Sequence, residues 1–247
     1  MIDNPVICSL SRYSFSPVFS TIFPLSSESK SQSLLARVPL IGIVGGVGAG
    51  KSSVVRNVKS LRLHFIDADR IGHEQLAVKE IKDLIVKTFG KQVLDSSGDV
   101  SRPNLAAEVF GDSHDKQHRR QQLNQIVHPA IRSEVRRQID SAPQDVDAII
   151  LDAALLLESG WENECNAVIF IDTSLEQRQK RVAEARGWSA EEHKRREASQ
   201  LSVEEKRQKS DFCVDNSGDI SVAATEMEQV LLRIIAQNEF PNSVFLV

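Results

Sequence analysis

The glycine-rich segment Gly45-Gly46-Val47-Gly48-Ala49-Gly50-Lys51-Ser52 is the strongest structural signal in this chain. It meets every fixed position of the pattern G-x-x-x-x-G-K-[ST], and it follows the apolar run Pro39–Val44. Glycines let successive backbone N–H groups turn inward around an anion, and the amino end of a following helix adds its positive dipole. We therefore predict a buried strand, a phosphate-binding loop and a helix, in that order.

The residues that end this loop predict a bound nucleoside triphosphate with Mg²⁺. Lys51 is a mobile point charge that can reach the β- and γ-phosphates, and the Ser52 hydroxyl can complete the coordination shell of the magnesium ion. An ordinary glycine-rich turn is the alternative, but it leaves Lys51 unexplained because lysine favours the carboxyl end of a helix. The residues assigned to the nucleotide are Gly46, Val47, Gly48, Ala49, Gly50, Lys51, Ser52 and Ser53.

The composition is that of a soluble globular protein built from one α/β domain with insertions. The chain has 247 residues, of which 41% are apolar and 26% charged, and no segment that would span a membrane. A net charge of −4 gives no general basic field, so nucleic-acid binding is not indicated. Cys8, Cys165 and Cys213 form no C-x-x-C pair, which argues against a zinc site or disulfides and favours a reducing, cytoplasmic setting. The oligomeric state is left open.

Residues 1–37 form a serine-rich leader that differs from the rest of the chain. Asp3 comes early, Arg12 and Lys30 are the only basic residues before Arg37, and no apolar core is long enough for export. We predict a disordered tail, or a translation start upstream of the natural one, in preference to a targeting peptide.

The segment after the loop predicts a carboxylate beside the phosphates. Residues 51–60 read as a helix and residues 62–66 as a strand that ends in Asp67-Ala68-Asp69. A ten-residue helix descends about 15 Å and a five-residue strand climbs back about 16 Å. Asp69 is therefore expected at the level of the loop, at the sheet edge where ligands bind.

The remaining pattern predicts a parallel β-sheet core flanked by helices, with one helical insertion. Ile81, Leu84, Ile85 and Phe89 have helical spacing, and a helical insertion is expected over about 78–144. Apolar runs over 148–152 and 167–172 and a short run over 212–214 read as buried parallel strands, and 220–236 as the last helix. The domain is expected over 38–240, with its core in 38–77 and 145–240.

A charged segment from about 181 to 207 is predicted to be a mobile lid. Arg181 and Arg186 follow a core strand and flank the Gly187 turn, where they could swing over a transferring phosphoryl group. Most charge runs are only a solvated helix face, and that is the preferred interpretation of Arg195 and Arg196.

Asp152 is a candidate magnesium ligand acting through water. It closes a strand predicted to lie beside the first strand, and a carboxylate at that place suits a hydrated divalent cation. The alternative is a strand-end aspartate that caps the following turn.

Several further short motifs follow the loop in a characteristic order. They are Asp67-Ala68-Asp69, Gly98-x-x-x-Arg102 with Leu105, Ile126-Val127-His128-Pro129, Leu155-Leu156-Leu157-Glu158-Ser159-Gly160, Gln200 and Asp211-x-x-x-Asp215-Asn216. With Gly45 to Ser53, they make the chain from about Val38 to Ala236 resemble the dephospho-CoA kinase family, whose members are P-loop small-molecule kinases. No motif beyond the loop is specific alone, but their order and spacing make coincidence improbable.

The resemblance implies ATP-dependent phosphorylation of the ribose 3′-hydroxyl of dephospho-CoA, giving coenzyme A and ADP in the final step of coenzyme A biosynthesis. It makes the insertion the acceptor-binding part and Asp69 the general base, with Lys51 and Arg186 as the other catalytic residues and Arg181 at the nucleotide. From residue spacing alone, Asp67 and Asp69 are not distinguished, because a continuing strand would point both the same way. A structural cap is the alternative role for Asp67.

Two residues of the insertion have competing interpretations. Arg102 resembles a ligand of the acceptor's phosphate, because its planar fork suits bidentate anion binding, while a solvated turn arginine is the alternative. His128 precedes Pro129 and is expected to shape a helix start rather than to do chemistry.

Two other functions share part of this pattern. A kinase for a nucleoside or a shikimate-like acceptor would have the loop, the lid and the strand-end aspartate, but it does not account for the motifs at 126–129 and 155–158. A nucleotide-driven switch that recognises guanine would normally carry Asn-Lys-x-Asp, which is absent from this sequence.

Overall fold

The computed structural model describes residues 38–111 and 113–239, so the leader predicted over 1–37 lies outside the described residues. A five-stranded sheet has the order β2-β3-β1-β4-β5. Its strands are β1 (Leu40–Gly45), β2 (Leu63–Asp67), β3 (Ala148–Asp152), β4 (Ala167–Asp172) and β5 (Phe212–Asp215).

The central strand β1 positions the loop. It pairs in parallel with β3 on one side and with β4 on the other, and β4 pairs in parallel with β5. The chain leaves β1 towards β2 and leaves β3 towards β4, which are opposite directions along the sheet. A crevice at the carboxyl ends of β1 and β3 follows, and ligands of α/β sheets bind at such a place. The predicted sheet is confirmed.

Nine α-helices are found in the described ranges. They are α1 (Lys51–Asn57), α2 (Ala68–Gln75), α3 (Lys79–Phe89), α4 (Arg102–Val109), α5 (His114–Asp140), α6 (Leu175–Arg186), α7 (Ala190–Glu197), α8 (Val203–Gln208) and α9 (Ile220–Glu239). Helix α1 ends earlier than the predicted residue 60, because Val58 is already extended. Across 38–111 and 113–239, no helix combines the length and the apolar character needed to cross a bilayer.

The structure divides into two compact units. One contains the described residues 38–66 and 142–239, and the other is Asp67–Ser141. The second unit therefore includes α2, which lies before the insertion boundary predicted at about residue 78. Close packing explains this, because a Cβ atom at Gly72 of α2 would lie 3.2 Å from Cδ1 of Ile131 in α5.

Each unit has its own buried core. In the first, alternate residues of the central strands pack against α1 and α9, through side chains that include Ile41, Ile43, Ile150, Ile169, Val54, Met227 and Leu231. In the second, α3, α4 and α5 enclose Ile85, Phe89, Val93, Leu105, Val109 and Val127. Leu84, predicted on the apolar face of α3, is 46% exposed.

The predicted helix start at His128-Pro129 is wrong. Helix α5 runs through Pro129 without interruption. Proline has no N–H for the carbonyl four residues earlier, so the helix loses one hydrogen bond at this point. Buried contacts of Val127, Val135 and Ile139 hold the helix together on both sides of the proline.

Cys165 and Cys213 are free thiols, while Cys8 lies outside the described residues. Burial, with nearby carboxylates, raises the pKa of Cys165 to about 12. The Cys165 thiol is therefore protonated and unreactive at neutral pH.

Candidate active site

The loop between β1 and α1 has the backbone geometry of an anion-binding turn. Gly48 and Gly50 have φ angles of 82° and 83°, in the left-handed region that favours glycine. The Ala49 N–H donates to the Gly46 carbonyl at 3.0 Å, which closes the turn. Gly50 is the N-cap of α1 and makes no side-chain cap hydrogen bond to the first N–H groups of this helix.

Lys51, Ser52 and Asp152 meet at the end of this loop. The Ser52 hydroxyl donates to Asp152 Oδ2 at 2.5 Å, and Lys51 Nζ lies 3.6 Å from Asp152 Oδ1. Parallel pairing of Ile43 with Asp152 brings the carboxylate there, since β1 and β3 end at the same sheet edge. Both carboxylate oxygens of Asp152 face α1 rather than the turn after β3. This geometry favours the predicted role beside the phosphate loop over the alternative of a cap on the following turn.

The outer side of the loop is held through one backbone carbonyl. Ala49 O accepts hydrogen bonds from Thr173 Oγ1 at 3.0 Å, from Asn216 Nδ2 at 2.7 Å and from Arg181 Nη1 at 3.2 Å. Arg181 also donates to the Asn216 carbonyl at 2.8 Å. Arg181 therefore contacts the loop from behind, through its backbone. Its predicted contact with the nucleotide remains a prediction.

Helix α6 packs directly against the glycines of the loop. A Cβ atom at Gly46 would lie 2.6 Å from Arg178 Nη1, and one at Gly48 would lie 2.7 Å from the Arg178 carbonyl. At Gly50, it would lie 2.6 Å from Asn216 Nδ2. Gly48 is thus required both by a neighbouring backbone carbonyl and by its φ angle, whereas at Gly46 and Gly50 the neighbouring atoms are ends of side chains.

Two residues at the loop were missed by sequence reasoning. Arg178 is 5% exposed and His193 is fully buried, and both approach the Val47 carbonyl, at 3.5 Å from Nη1 and 2.9 Å from Nε2. His193 lies within the segment predicted as the lid, and Arg178 lies three residues before that segment. Their neighbours in sequence are mostly polar, so no apolar periodicity marks them as buried.

The predicted lid region consists of the end of α6, then α7 and α8. The Arg186 guanidinium lies over the Trp188 ring at 4.7 Å from its centroid, and that of Arg196 at 4.1 Å. The structure therefore holds Arg186 by an aromatic ring, while Arg181 contacts the loop.

The motif residues Glu158 and Gln200 lie in one polar cluster around Lys206, which is only 2% exposed. Lys206 Nζ donates to Gln200 Oε1 at 2.6 Å and to the Ala154 carbonyl at 3.2 Å, and lies 3.9 Å from Glu158 Oε1. Glu158 in turn accepts from the Leu201 N–H at 2.7 Å. This cluster attaches the segment after β3 to α8.

The two aspartates at the end of β2 have different local roles. The strand ends at Asp67, whose side chain accepts from the Arg70 N–H at 2.8 Å as the N-cap of α2. Asp69 lies in the first turn of that helix and is exposed. The strand does not continue, so the argument that both side chains point the same way no longer applies. The capping role weighed for Asp67 is the one found.

Arg102 is the first residue of α4 and is exposed. The turn before it closes through an antiparallel bridge between Leu94 and Val100, and Gly98 has a φ of 82°. Ser101 caps the helix by accepting from the Asn104 N–H. The Arg102 side chain therefore projects from a well-defined helix start.

The chain matches the dephospho-CoA kinase family over residues 39–222. It is 34% identical to a dephospho-CoA kinase of Corynebacterium diphtheriae over 202 residues, which cover 81% of this chain and 99% of that one. A dephospho-CoA kinase of Bacillus cereus is also 34% identical, with 78% and 95% covered.

Solved structures show the same similarity. The TT1252 crystal structure from Thermus thermophilus has a TM-score of 0.68 and 29% identity, and covers 80% of this chain and 98% of that one. A dephospho-CoA kinase from Campylobacter jejuni has a TM-score of 0.51 and 25% identity, with the same coverage. With its phosphate loop, its sheet and the Lys51–Asp152–Ser52 cluster, the chain belongs to the dephospho-CoA kinase family.

Proposed function

We propose that this protein transfers the γ-phosphoryl group of ATP to the ribose 3′-hydroxyl of dephospho-CoA, which gives coenzyme A and ADP as the final step of coenzyme A biosynthesis. Family membership supports the reaction, and the cluster of Lys51, Ser52 and Asp152 at the carboxyl ends of β1 and β3 is the observation that carries it. The cysteine usage favours a reducing, cytoplasmic setting for this reaction.

The donor nucleotide is bound by the loop Gly46–Ser53. Backbone N–H groups of the loop face the phosphates, and Lys51 exchanges its contact with Asp152 for the β- and γ-phosphate oxygens. Lys51 is 19% exposed, so its charge is only partly screened by water. Phosphoryl transfer needs this kind of positioning and charge neutralisation more than it needs covalent chemistry.

A magnesium ion fits the oxygen donors of Ser52 and Asp152. Within the described part of the chain, His, Cys, Asp and Glu side chains nowhere gather in threes as a metal site of their own. Ser52 would bind the ion directly and Asp152 would hold it through water, with phosphate oxygens and further waters as the other ligands. Bound there, magnesium neutralises charge on the β- and γ-phosphates.

The acceptor is handled by residues of the unit Asp67–Ser141. Asp69 accepts the proton of the 3′-hydroxyl as the general base, while the hydroxyl oxygen forms its bond to the γ-phosphorus and the bond to the ADP oxygen breaks. Arg102 binds a phosphate of the acceptor through its guanidinium fork. Arg186, from the lid over about 181–207, neutralises the equatorial oxygens in the transition state. Arg181 does so once it exchanges its contacts with the Ala49 and Asn216 carbonyls for the phosphoryl oxygens.

An acceptor panel tests the reaction. Purified protein is given ATP and Mg²⁺ with dephospho-CoA, adenosine, shikimate or water as the acceptor. We expect ADP and coenzyme A with dephospho-CoA alone. Equal or faster turnover with another acceptor would contradict the proposal.

Asp69→Asn separates the general base from binding. We expect kcat to fall by about two to four decades while ATP affinity is nearly unchanged, because an amide cannot accept the proton. Steady-state kinetics and calorimetric titration with ATP measure the two effects.

Asp67→Asn is the matched control. Asparagine caps a helix as well as aspartate does, so α2 keeps its N-cap and turnover stays near that of the wild type. A larger loss in the Asp67 variant than in the Asp69 variant would exchange the two roles. Equal losses of ATP binding and rate in Asp69→Asn would mark it as a metal or structural residue instead.

A further inference from the structure

His193 is a fully buried polar residue that the proposed chemistry does not use. It lies on α7, and its Nε2 is 2.9 Å from the Val47 carbonyl of the phosphate loop. A carbonyl can only accept, so Nε2 must carry the hydrogen. The other ring nitrogen, Nδ1, is buried without a hydrogen-bond partner among the described residues.

This arrangement is unfavourable for a residue that only fills space. A buried polar atom without a partner destabilises the folded state, and an apolar side chain of similar size would avoid that cost. Among residues 38–111 and 113–239, the ring hydrogen-bonds only to the loop backbone. The imidazole therefore contributes through the effect of this bond on the conformation of the loop.

The bond fixes the orientation of a peptide unit in the loop. In a trans peptide, the C=O of one residue and the N–H of the next point in opposite directions. A Val47 carbonyl held outward by His193 therefore turns the Gly48 N–H towards the inner side of the loop. Gly48 has a φ of 82°, and it is followed by the Ala49 carbonyl, which three other donors hold outward. With the Val47 and Ala49 carbonyls anchored outside, the N–H groups that follow them, those of Gly48 and Gly50, point to the inner side of the loop.

A second contact attaches α7 behind the same peptide. Glu197 lies one turn after His193, on the same face of the helix, and its carboxylate pairs with Arg178 Nη1. That nitrogen is 3.5 Å from the Val47 carbonyl, and Arg178 Nε donates to the Thr173 carbonyl at 3.1 Å. The helix of the predicted lid thus reaches the back of the phosphate loop through two neighbouring side chains.

We propose that His193 is a positioning residue which, together with the Arg178–Glu197 pair, couples α7 to the phosphate loop and sets the orientation of the Val47–Gly48 peptide for phosphate binding. The inference rests on the proposed function in so far as the loop binds ATP. It adds that nucleotide affinity depends on the docking of α7, through a side chain that touches no reacting atom.

Two amide substitutions test the hydrogen bond. In His193→Gln the side-chain amide can reach the position of Nε2 and donate to Val47, whereas in His193→Asn it reaches only the position of Nδ1. We expect the Kd and KM for ATP to rise roughly tenfold in His193→Asn, the scale of one hydrogen bond, and to stay within about threefold in His193→Gln. The KM for dephospho-CoA should not change in either variant.

Thermal unfolding of the nucleotide-free variants gives the control for packing. Both amides are smaller than imidazole, so both should lower the melting temperature, and His193→Asn should lower it more because it leaves the larger cavity and lacks the hydrogen bond. Equal ATP affinities in the two variants, or a rise in the KM for dephospho-CoA as large as that in the KM for ATP, would overturn the proposal.

Glu197→Ala supplies a second test that leaves the buried ring in place. Loss of the partner of Arg178 should raise the KM for ATP in the same direction but less than His193→Asn does, again without an effect on dephospho-CoA. An unchanged KM for ATP would contradict the part of the proposal that couples α7 to the loop through the Arg178–Glu197 pair. Calorimetric binding of ATP without acceptor keeps this test separate from the proposed reaction, since a wild type that binds ATP but does not form coenzyme A would contradict only the latter.

Discussion

Helices α1 and α4 both begin with a basic residue after a glycine turn, yet they begin differently. Gly50 precedes Lys51 and offers no side-chain cap, whereas Ser101 precedes Arg102 and accepts from the Asn104 N–H. Proline at the second position of α4 removes a further donor. The amino end of α1 is thus left open to an anion, while that of α4 is already satisfied by its own sequence.

The two basic side chains, Lys51 and Arg102, also differ in their exposure to solvent. Lys51 is 19% exposed and lies against Asp152, whereas Arg102 is exposed at the surface of its unit. Backbone and side chain act together at α1, and at α4 only the guanidinium is available. The comparison supports the proposal of a phosphate site built from backbone and side chain at α1, and it limits the proposed role of Arg102 to its side chain.

Lys51→Ala removes the basic side chain at the start of α1, and we expect it to have the largest effect on turnover. We expect kcat to fall about 10²- to 10³-fold, the size typical for loss of one electrostatic contact to the transition state. Steady-state assays with saturating ATP and dephospho-CoA measure it. Lys180→Ala, an exposed lysine on α6, is the matched control and should leave kcat unchanged. Full activity of Lys51→Ala would overturn the site assignment.

Arg102→Ala tests the side-chain site and should have an intermediate effect. We expect the KM for dephospho-CoA to rise about 10- to 100-fold, because a charged hydrogen bond contributes about 1.5–3 kcal/mol, while the KM for ATP stays constant. Arg102→Lys should recover only part of the affinity, since an ammonium lacks the planar fork. Arg233→Ala, on an exposed position of α9, should change neither constant. A solvated turn arginine would give the same result as this control.

Ser101→Ala tests whether the start of α4 is independent of the start of α1, and we expect it to have the smallest effect of the three substitutions. Loss of the cap on α4 should lower the free energy of unfolding by about 1 kcal/mol, measured by urea denaturation. The KM for ATP should not change, because the nucleotide is assigned to α1. A large rise in the KM for ATP would show that the two helix starts are not independent.

The local pattern of apolar and polar residues was sufficient to predict most of the secondary structure of the fold. The strands over 148–152 and 167–172 were predicted with the bounds that the structure has, because long apolar runs can only be buried. Errors came where a local rule was overridden by packing. Pro129 suggested a helix boundary, yet α5 continues through it because its neighbours Val127 and Val135 are buried. The strand at Asp67 ends in a helix cap, which a period-two argument did not foresee.

Some residues of the candidate site were predictable from local sequence, and others were not. Glycine spacing and the adjacent Lys51 and Ser52 identify the loop, since these residues act through backbone conformation and neighbouring side chains, and both are local. Asp152 was predicted as a strand-end acid, but its contact with Ser52 depends on the register between β1 and β3. Arg178 and His193 were not predicted, because their burial depends on how α6 and α7 pack behind the loop.

Local sequence is sufficient to place a phosphate loop between a buried strand and a helix, because a glycine pattern restricts φ angles wherever it occurs. Which side chains surround that loop depends on the tertiary fold. Carbonyls of Val47 and Ala49 are held by residues from 173 to 216. Contacts over such separations depend on the order of strands and the docking of helices, and no local sequence pattern records them.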